Sequence, residues 1–185
     1  MDPRLKQHSL GFYEIAEKPT PEELEEYYAE KYYQEAKGSY EHAYSYEELE
    51  WLRAKLEQRY FALKKAQPNL KKGGRFLEVG CGEGFALTFF LKHGYTIKGI
   101  DFSSAGVESK NPKCKDFLVT GDIFNLLEKE IASGNVYDIV WLQNVLEHVL
   151  DPVALLQSLR NLVSPEGVAV VTVPNDYSAM QRKAL

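Results

Sequence analysis

The sequence has little of what marks disulfide-rich, metal-binding or membrane-spanning proteins. Its 185 residues include two cysteines, Cys81 and Cys114, which lack the spacing of a metal site or of a disulfide framework. We expect reduced thiols, and hence a cytoplasmic protein. The apolar runs are the length of β-strands and too short to span a membrane. The first residues lack the apolar core of a secretory signal.

The chain also lacks an excess of positive charge. It has 22 Lys and Arg against 27 Asp and Glu, for a net charge of −5. Neutralising a nucleic-acid backbone takes clustered Lys and Arg, so we expect no general nucleic-acid binding, although a local RNA-binding patch stays open. With 44% hydrophobic residues, the chain has enough apolar material for one folded core.

Residues 1–72 are predicted to form an N-terminal helical extension. Thr20 and Glu23 form a capping-box pattern around Pro21, so a helix is predicted from there to about Ala36. A second helix is predicted over 46–66 from a helical apolar stripe. The extension either packs a tyrosine stripe on the rest of the chain or acts as a lid over a ligand site. Tyr40 and Tyr44 are the candidates for pocket contact.

Residues 73–185 alternate strand-like and helix-like segments. Such alternation predicts an α/β domain with a doubly wound, mostly parallel sheet, helices on both faces and a ligand crevice at the carboxyl ends of the strands. Asp151 and Pro152 are typical of the start of the last helix. The predicted strands are 75–80, 96–101, 116–120, 136–142 and 167–173, and the predicted helices lie near 84–93, 103–110, 123–133 and 152–163.

A glycine-rich turn follows the first of these strands, in the segment Phe76–Gly84. Alternate glycines let the backbone turn sharply and approach a ligand closely, and the helix that follows offers free N–H groups. A dinucleotide fingerprint would need a third glycine at Phe85 or Leu87, and a phosphate-binding P-loop would need Lys where Phe85 stands. Neither pattern fits. A turn that binds nothing is the remaining structural alternative.

The pattern Glu78-x-Gly80-x-Gly82-x-Gly84 resembles motif I of the class I S-adenosylmethionine-dependent methyltransferases. Residues 137–152 resemble the Leu-Glu-His-Val segment of their ubiquinone-biosynthesis-like branch, and the likeness covers about 75–176. It implies a Rossmann-like fold whose last two strands form a hairpin. Because the chain stops at Leu185, we expect this hairpin to be missing and the core to be C-terminally incomplete. An exposed sheet edge would then favour a homodimer.

The resemblance implies S-adenosylmethionine as cofactor and S-adenosylhomocysteine as product. Gly80, Cys81, Gly82 and Gly84 would form the cofactor turn. Glu78 would belong to the network near the amino end of the methionine moiety, or would instead hold the N–H groups of the glycine loop.

The ends of the next strands supply the other cofactor contacts. Asp101 is placed to accept hydrogen bonds from both ribose hydroxyls, or else caps the next helix. Phe102 would lie against the adenine edge. Asp122 would accept from the adenine amino group, or act only as a helix N-cap, and the Ile123 N–H would meet a ring nitrogen. The remaining contacts are Gln143 and Asn144, which would flank the methionine part.

His148 is the candidate general base, because its ordinary pKa range suits proton transfer near neutral pH and it follows the fourth strand. The alternative is that it caps backbone carbonyls or packs at the helix start. No metal is predicted. The expected reaction is methyl transfer to a small molecule, with oxygen favoured over nitrogen or carbon. A non-catalytic cofactor-binding module and a nucleotide-dependent oxidoreductase are the alternatives.

Overall fold

The three-dimensional structure is a computed structural model that describes residues 3–20, 22–23 and 43–174. The chain divides into two compact units, Met1–Gly38 and Ser39–Leu185. None of the helices in the described ranges combines the length and apolar character needed to cross a bilayer.

The first unit contains a short antiparallel hairpin that the sequence did not predict. Strand β1 (Leu5–Gln7) pairs with β2 (Tyr13–Ile15). Three-residue strands with exposed side chains carry too little apolar alternation to be recognised. The predicted capping box is confirmed: the Glu23 N–H donates to Thr20 Oγ1 at 3.2 Å, and the Thr20 N–H donates to Glu23 Oε2 at 2.8 Å. The course of the predicted helix beyond Glu23 lies outside the described residues.

The second unit opens with helix α1 (Tyr46–Ala66), whose predicted bounds are confirmed. Ser45 caps it in a capping box with Glu48. Its apolar stripe buries Leu56, Tyr60 and Leu63 in the same core cluster as the first sheet strand. The boundary predicted after residue 72 differs from the observed division between residues 38 and 39, because this burial joins α1 to the sheet.

In the described part of the chain, five strands and four helices follow α1, with two short 3₁₀ segments. In chain order these elements are β3 (Arg75–Val79), α2 (Phe85–Lys92), β4 (Thr96–Asp101), α3 (Ala105–Lys110), a 3₁₀ segment (Pro112–Phe117), β5 (Leu118–Thr120), α4 (Ile123–Ala132), β6 (Tyr137–Gln143), a 3₁₀ turn (Leu146–His148), α5 (Pro152–Leu162) and β7 (Val163–Thr172). The five strands form one parallel sheet in the order β5-β4-β3-β6-β7, which confirms the doubly wound α/β prediction.

Alternate residues of the central strands supply two apolar layers. On β6, Ile139 and Trp141 pack with α1 and α2, whereas Val140 and Leu142 pack with α4 and α5. This alternation follows the two-residue period of a strand. Helices therefore cover both faces, and the carboxyl ends of the parallel strands meet at one edge of the sheet.

Two strands begin more than one residue away from the predicted position, and the other strand bounds agree within one residue. β5 begins at Leu118 rather than 116, because the 3₁₀ segment takes up the preceding residues. β7 begins at Val163, which pairs with Tyr137 ahead of a register shift. β7 is also an edge strand, and Val171 on it is exposed. A second copy of the chain at this edge remains a prediction.

Candidate functional site

The glycine turn between β3 and α2 is built from three left-handed residues. Gly80, Gly82 and Gly84 have φ values of 74°, 53° and 75°, a region that glycine enters without strain. At Gly80 a Cβ would overlap Val145 Cγ2, whereas at Gly82 it would meet nothing within 4 Å. Gly80 is therefore required by the packing of the chain itself. Gly82 faces space that a ligand can enter.

Glu78 lies buried near the end of β3. Its Oε2 accepts a hydrogen bond from the Leu87 N–H at 3.1 Å. Burial raises the pKa of Glu78 well above its ordinary value, the bond from Leu87 works against this rise, and the nearby Asp101 carboxylate adds to it. The side chain therefore binds an otherwise free N–H in the first turn of α2, one of the groups that follow the glycine loop.

Asp101 ends β4 and shapes the turn from the neighbouring strand. Its Oδ2 accepts from the Gly82 N–H at 2.8 Å, and its Oδ1 accepts from the Ser103 N–H at 3.0 Å. Burial raises the pKa of Asp101, and these backbone bonds lower it in part. Helix α3 begins at Ala105 with Ser104 as its N-cap, so Asp101 does not cap it. A carboxylate has about four acceptor sites, which leaves capacity for a ligand hydroxyl.

Asp122 takes the N-cap position of α4, where its Oδ1 accepts from the Asn125 N–H at 2.8 Å. This confirms the capping alternative. An adenine contact, through the second oxygen or through the neighbouring Ile123 N–H, stays a prediction. Phe102, which precedes α3, is about half-exposed.

A cavity of about 220 Å³ lies between the glycine turn and helix α1. The turn side contributes several predicted residues, and α1 contributes two cations that the sequence reasoning missed. The lining comprises Leu52, Lys55, Leu56, Arg59, Glu78, Gly80, Cys81, Gly82, Glu83, Phe85, Ala86 and Gln143.

Arg59 is the missed residue with the clearest polar contact in the cavity. Its Nη1 donates to Gln143 Oε1 at 2.7 Å, and burial lowers the pKa of its guanidinium. Arg59 and Lys55 share the cavity-facing side of α1 with Leu52 and Leu56, at spacings of three and four residues. The signal in the sequence that could have identified them is the presence of Lys55 and Arg59 beside the apolar stripe of α1.

Cys81 reaches the cavity, but its thiol is directed into the core. Its Sγ lies 3.4 Å from both the Glu78 and the Ile100 carbonyl oxygens. Burial, followed by the charges of Glu78 and Asp101, raises the pKa of the thiol well above its ordinary value. Both Cys81 and Cys114 are free and buried. A protonated, enclosed thiol is a packing group rather than a nucleophile.

Tyr44 lies against the same turn. Its hydroxyl donates to Glu83 Oε2 at 2.6 Å, and its ring meets Phe85 edge-on with the centroids 5.4 Å apart. Burial and the Glu83 carboxylate raise the pKa of Tyr44 to about 12. Tyr44 therefore contacts two cavity-lining residues but does not line the cavity itself, so its contact with a ligand stays a prediction. Tyr40 lies outside the described residues.

Several predicted site residues do not line the cavity: Gly84, Asp101, Phe102, Asp122, Ile123, Asn144 and His148. Asn144 has φ 53°, and its N–H donates to the Thr172 carbonyl at 2.9 Å. His148 lies in the 3₁₀ turn after β6, where its Nε2 is 3.9 Å from Glu147 Oε1 and half of its side chain is exposed. Residues 3–20, 22–23 and 43–174 contain no group of three His, Cys, Asp or Glu arranged for a metal ion.

Comparison with known proteins shows which proteins this chain is similar to. A family model described as a methyltransferase domain matches residues 46–185. The ubiquinone biosynthesis O-methyltransferases of Rhodopseudomonas palustris (strain TIE-1) and Histophilus somni (strain 2336) are each 31% identical to this chain. The first alignment covers 119 residues, 62% of this chain and 47% of that protein. The second covers 107 residues, 55% of this chain and 45% of that protein.

The chain is also similar to a solved structure, that of an S-adenosylmethionine-dependent methyltransferase from Agrobacterium tumefaciens. The two sequences are 16% identical, the TM-score is 0.48, and the match covers 64% of this chain and 45% of that one. The chain spans about half the length of the curated relatives it matches. Because the family model matches more than half of the sequence, the chain belongs to the methyltransferase domain family.

Proposed function

We propose that the chain binds S-adenosylmethionine at the glycine turn and transfers its methyl group to an oxygen atom of a small molecule. The observation that carries the proposal is the cavity between the turn and α1, at the carboxyl ends of β3 and β6. Ligands of open α/β sheets bind at that edge. The curated relatives are O-methyltransferases by name, which supports oxygen as the acceptor atom.

The residues present fit the two ends of this cofactor. The cavity presents the Arg59 guanidinium and the Glu83 carboxylate, a pair suited to the charged amino-acid end. Lys55 also lines the cavity, but its Nζ lies over the Trp51 ring, 3.7 Å from the centroid. The open side of Gly82 leaves room for the chain that joins the two ends. Asp101 accepts a hydrogen bond from the N–H of Gly82, which lines the cavity. We propose that Arg59 binds the carboxylate of the methionine moiety and Asp101 the ribose.

When bound, S-adenosylmethionine supplies an electrophilic methyl group on a positively charged sulfur. The chain's contribution is to align that group with the acceptor and to exclude water. These two effects can supply most of the rate acceleration of such a transfer. Leu52 and Leu56 form the apolar wall that excludes water. The Phe85 ring lines the same cavity, and aromatic faces attract cations.

An acceptor hydroxyl must lose its proton. We propose His148 as the group that takes it, because it is an accessible imidazole on the turn that follows β6. It lies outside the cavity lining, so the acceptor would approach from the open side of the sheet edge. The alternative function is a cofactor-binding module without catalytic activity.

Calorimetric titration tests the cofactor site. The ligands are S-adenosylhomocysteine, 5′-methylthioadenosine (which lacks the amino-acid end) and NAD. Arg59→Met should weaken binding of S-adenosylhomocysteine roughly tenfold or more, as expected for a lost bond between charged groups, and leave 5′-methylthioadenosine unchanged. Arg53→Met is the matched control, because Arg53 is exposed on the same helix and paired with Glu50.

Failure of the wild-type chain to bind S-adenosylhomocysteine, or a preference for NAD, would overturn the proposal. Binding without methyl transfer to a panel of phenols and other hydroxyl compounds would favour the cofactor-binding module instead.

A further inference from the structure

Glu83 is a cavity-lining acid to which the cofactor assignment above gives no specific partner atom. It stands between Gly82 and Gly84 in the turn. Its Oε2 accepts the hydrogen bond from the Tyr44 hydroxyl. Its Oε1 is shielded from solvent and has no hydrogen-bond donor among the described residues. A buried carboxylate oxygen without a donor is rare and unfavourable, so it calls for a partner that residues 3–20, 22–23 and 43–174 do not supply.

The position of this carboxylate is fixed from several sides. The Glu83 carbonyl accepts from Asn111 Nδ2 at 2.7 Å, and Asn111 Oδ1 accepts from Thr88 Oγ1 at 2.7 Å. Tyr44, which holds the side chain, is itself packed edge-on against Phe85. Hydrogen bonds from Asn111 and Tyr44 therefore fix both the backbone and one carboxylate oxygen of Glu83. A binding group fixed in this way is preorganised for its ligand.

The other charged groups of the cavity identify what Oε1 can bind. Glu78 Oε2 already accepts a hydrogen bond from the Leu87 N–H. Arg59 and Lys55 line the cavity from α1, yet neither donates to Glu83 Oε1. A ligand that brings its own cation as well as an anion would pair with both sides, with its carboxylate at Arg59 and its ammonium at Glu83.

We propose that Glu83 Oε1 accepts a hydrogen bond from the ammonium group of the methyl donor's amino-acid end, and that Tyr44 is the positioning residue that aims the carboxylate. This inference rests on the proposed cofactor site. It adds a donor-recognition role to a residue of the turn that the Glu-x-Gly-x-Gly-x-Gly pattern leaves unspecified. It also gives Tyr44, 39 residues earlier in the chain, a defined contribution to cofactor affinity.

The test compares two ligands by calorimetry: S-adenosylhomocysteine and its deaminated analogue, which keeps the carboxylate and lacks the amino group. The wild-type chain should bind S-adenosylhomocysteine at least tenfold more tightly than the analogue. Glu83→Gln should remove most of that preference, because the neutral amide keeps the shape but loses the charge. Tyr44→Phe should reduce the preference by a smaller factor. Glu128→Gln, which removes an exposed charge on α4, should leave it unchanged.

The outcomes separate the two proposals. No binding of S-adenosylhomocysteine to the wild-type chain would overturn the cofactor site and this inference together. Normal binding with an unchanged ligand preference in Glu83→Gln, or equal weakening of both ligands, would overturn the Glu83 assignment alone. Circular dichroism of each variant checks that it folds. If Glu83→Gln did not fold, an unchanged preference in Tyr44→Phe would still count against the proposal.

Discussion

The first and second glycines of the turn should respond differently to the same substitution. Gly80→Ala places a Cβ against Val145 Cγ2 at a position with φ 74°. An L-residue in the left-handed region costs roughly 1–2 kcal/mol, and overpacking adds about 1–3 kcal/mol. Gly82→Ala incurs only the backbone cost, because its Cβ meets nothing within 4 Å. We expect losses in unfolding free energy of about 2–5 kcal/mol for Gly80→Ala and about 1–2 kcal/mol for Gly82→Ala.

Urea titration measures these free energies, and calorimetry with S-adenosylhomocysteine measures the binding. Gly82→Ala should fold and yet lose affinity, because its methyl group occupies the space assigned to the cofactor. Val145→Ala provides the control for Gly80: the double variant should be less destabilised than the sum of the single variants, since the clash is removed. Equal destabilisation by the two glycine substitutions, or strict additivity with Val145→Ala, would refute this account of the turn.

Two further predictions concern the opposite end of the sheet and the proposed base. Burial acts to raise the pKa of Glu130, but hydrogen bonds from Lys98 (2.5 Å) and Tyr137 outweigh it and lower the pKa. Because its pKa is lowered, ionised Glu130 contributes stability that is present above its unfolded-state pKa and is lost as the pH falls through its folded-state pKa. Glu130→Gln should therefore cost about 1–3 kcal/mol of unfolding free energy at pH 7 and reduce the loss of stability at acid pH, measured by urea titrations at several pH values. An unchanged loss of stability at acid pH would contradict the assignment. His148→Gln should lower kcat about a hundredfold without weakening S-adenosylhomocysteine binding, and an unchanged kcat would exclude His148 as the base.

The parts of the fold that local chemistry determines could be predicted. The bounds of α1 follow from its apolar stripe, and Asp151 does cap α5, where its side chain accepts from the Ala154 N–H. The glycine turn could be predicted because a sharp strand-to-helix crossing needs residues with positive φ. The place of Asp101 beside this turn could be predicted because neighbouring parallel strands bring their carboxyl ends together.

The contacts that depend on distant parts of the chain could not be predicted. Arg59 meets Gln143 across 84 residues, and Tyr44 meets Glu83 across 39 residues. Such pairs follow from how α1 packs on the sheet, which no short window of sequence contains. Likewise, the requirement for glycine at position 80 comes from Val145 rather than from a ligand, and only the packed structure separates these two causes.

Helix α1 supplies one wall of the cavity proposed to bind the cofactor and is also part of the hydrophobic core. Any local opening that lifts α1 from the sheet therefore dismantles the cavity, and a ligand that requires the cavity selects against such openings. The free energy of docking this helix and the affinity for the methyl donor are thus thermodynamically linked, and a saturating ligand adds to the stability of the docked state by mass action. Substitutions at Tyr60 or Leu63, which belong to the buried stripe of α1 but do not line the cavity, can consequently tune affinity through the population of the docked state.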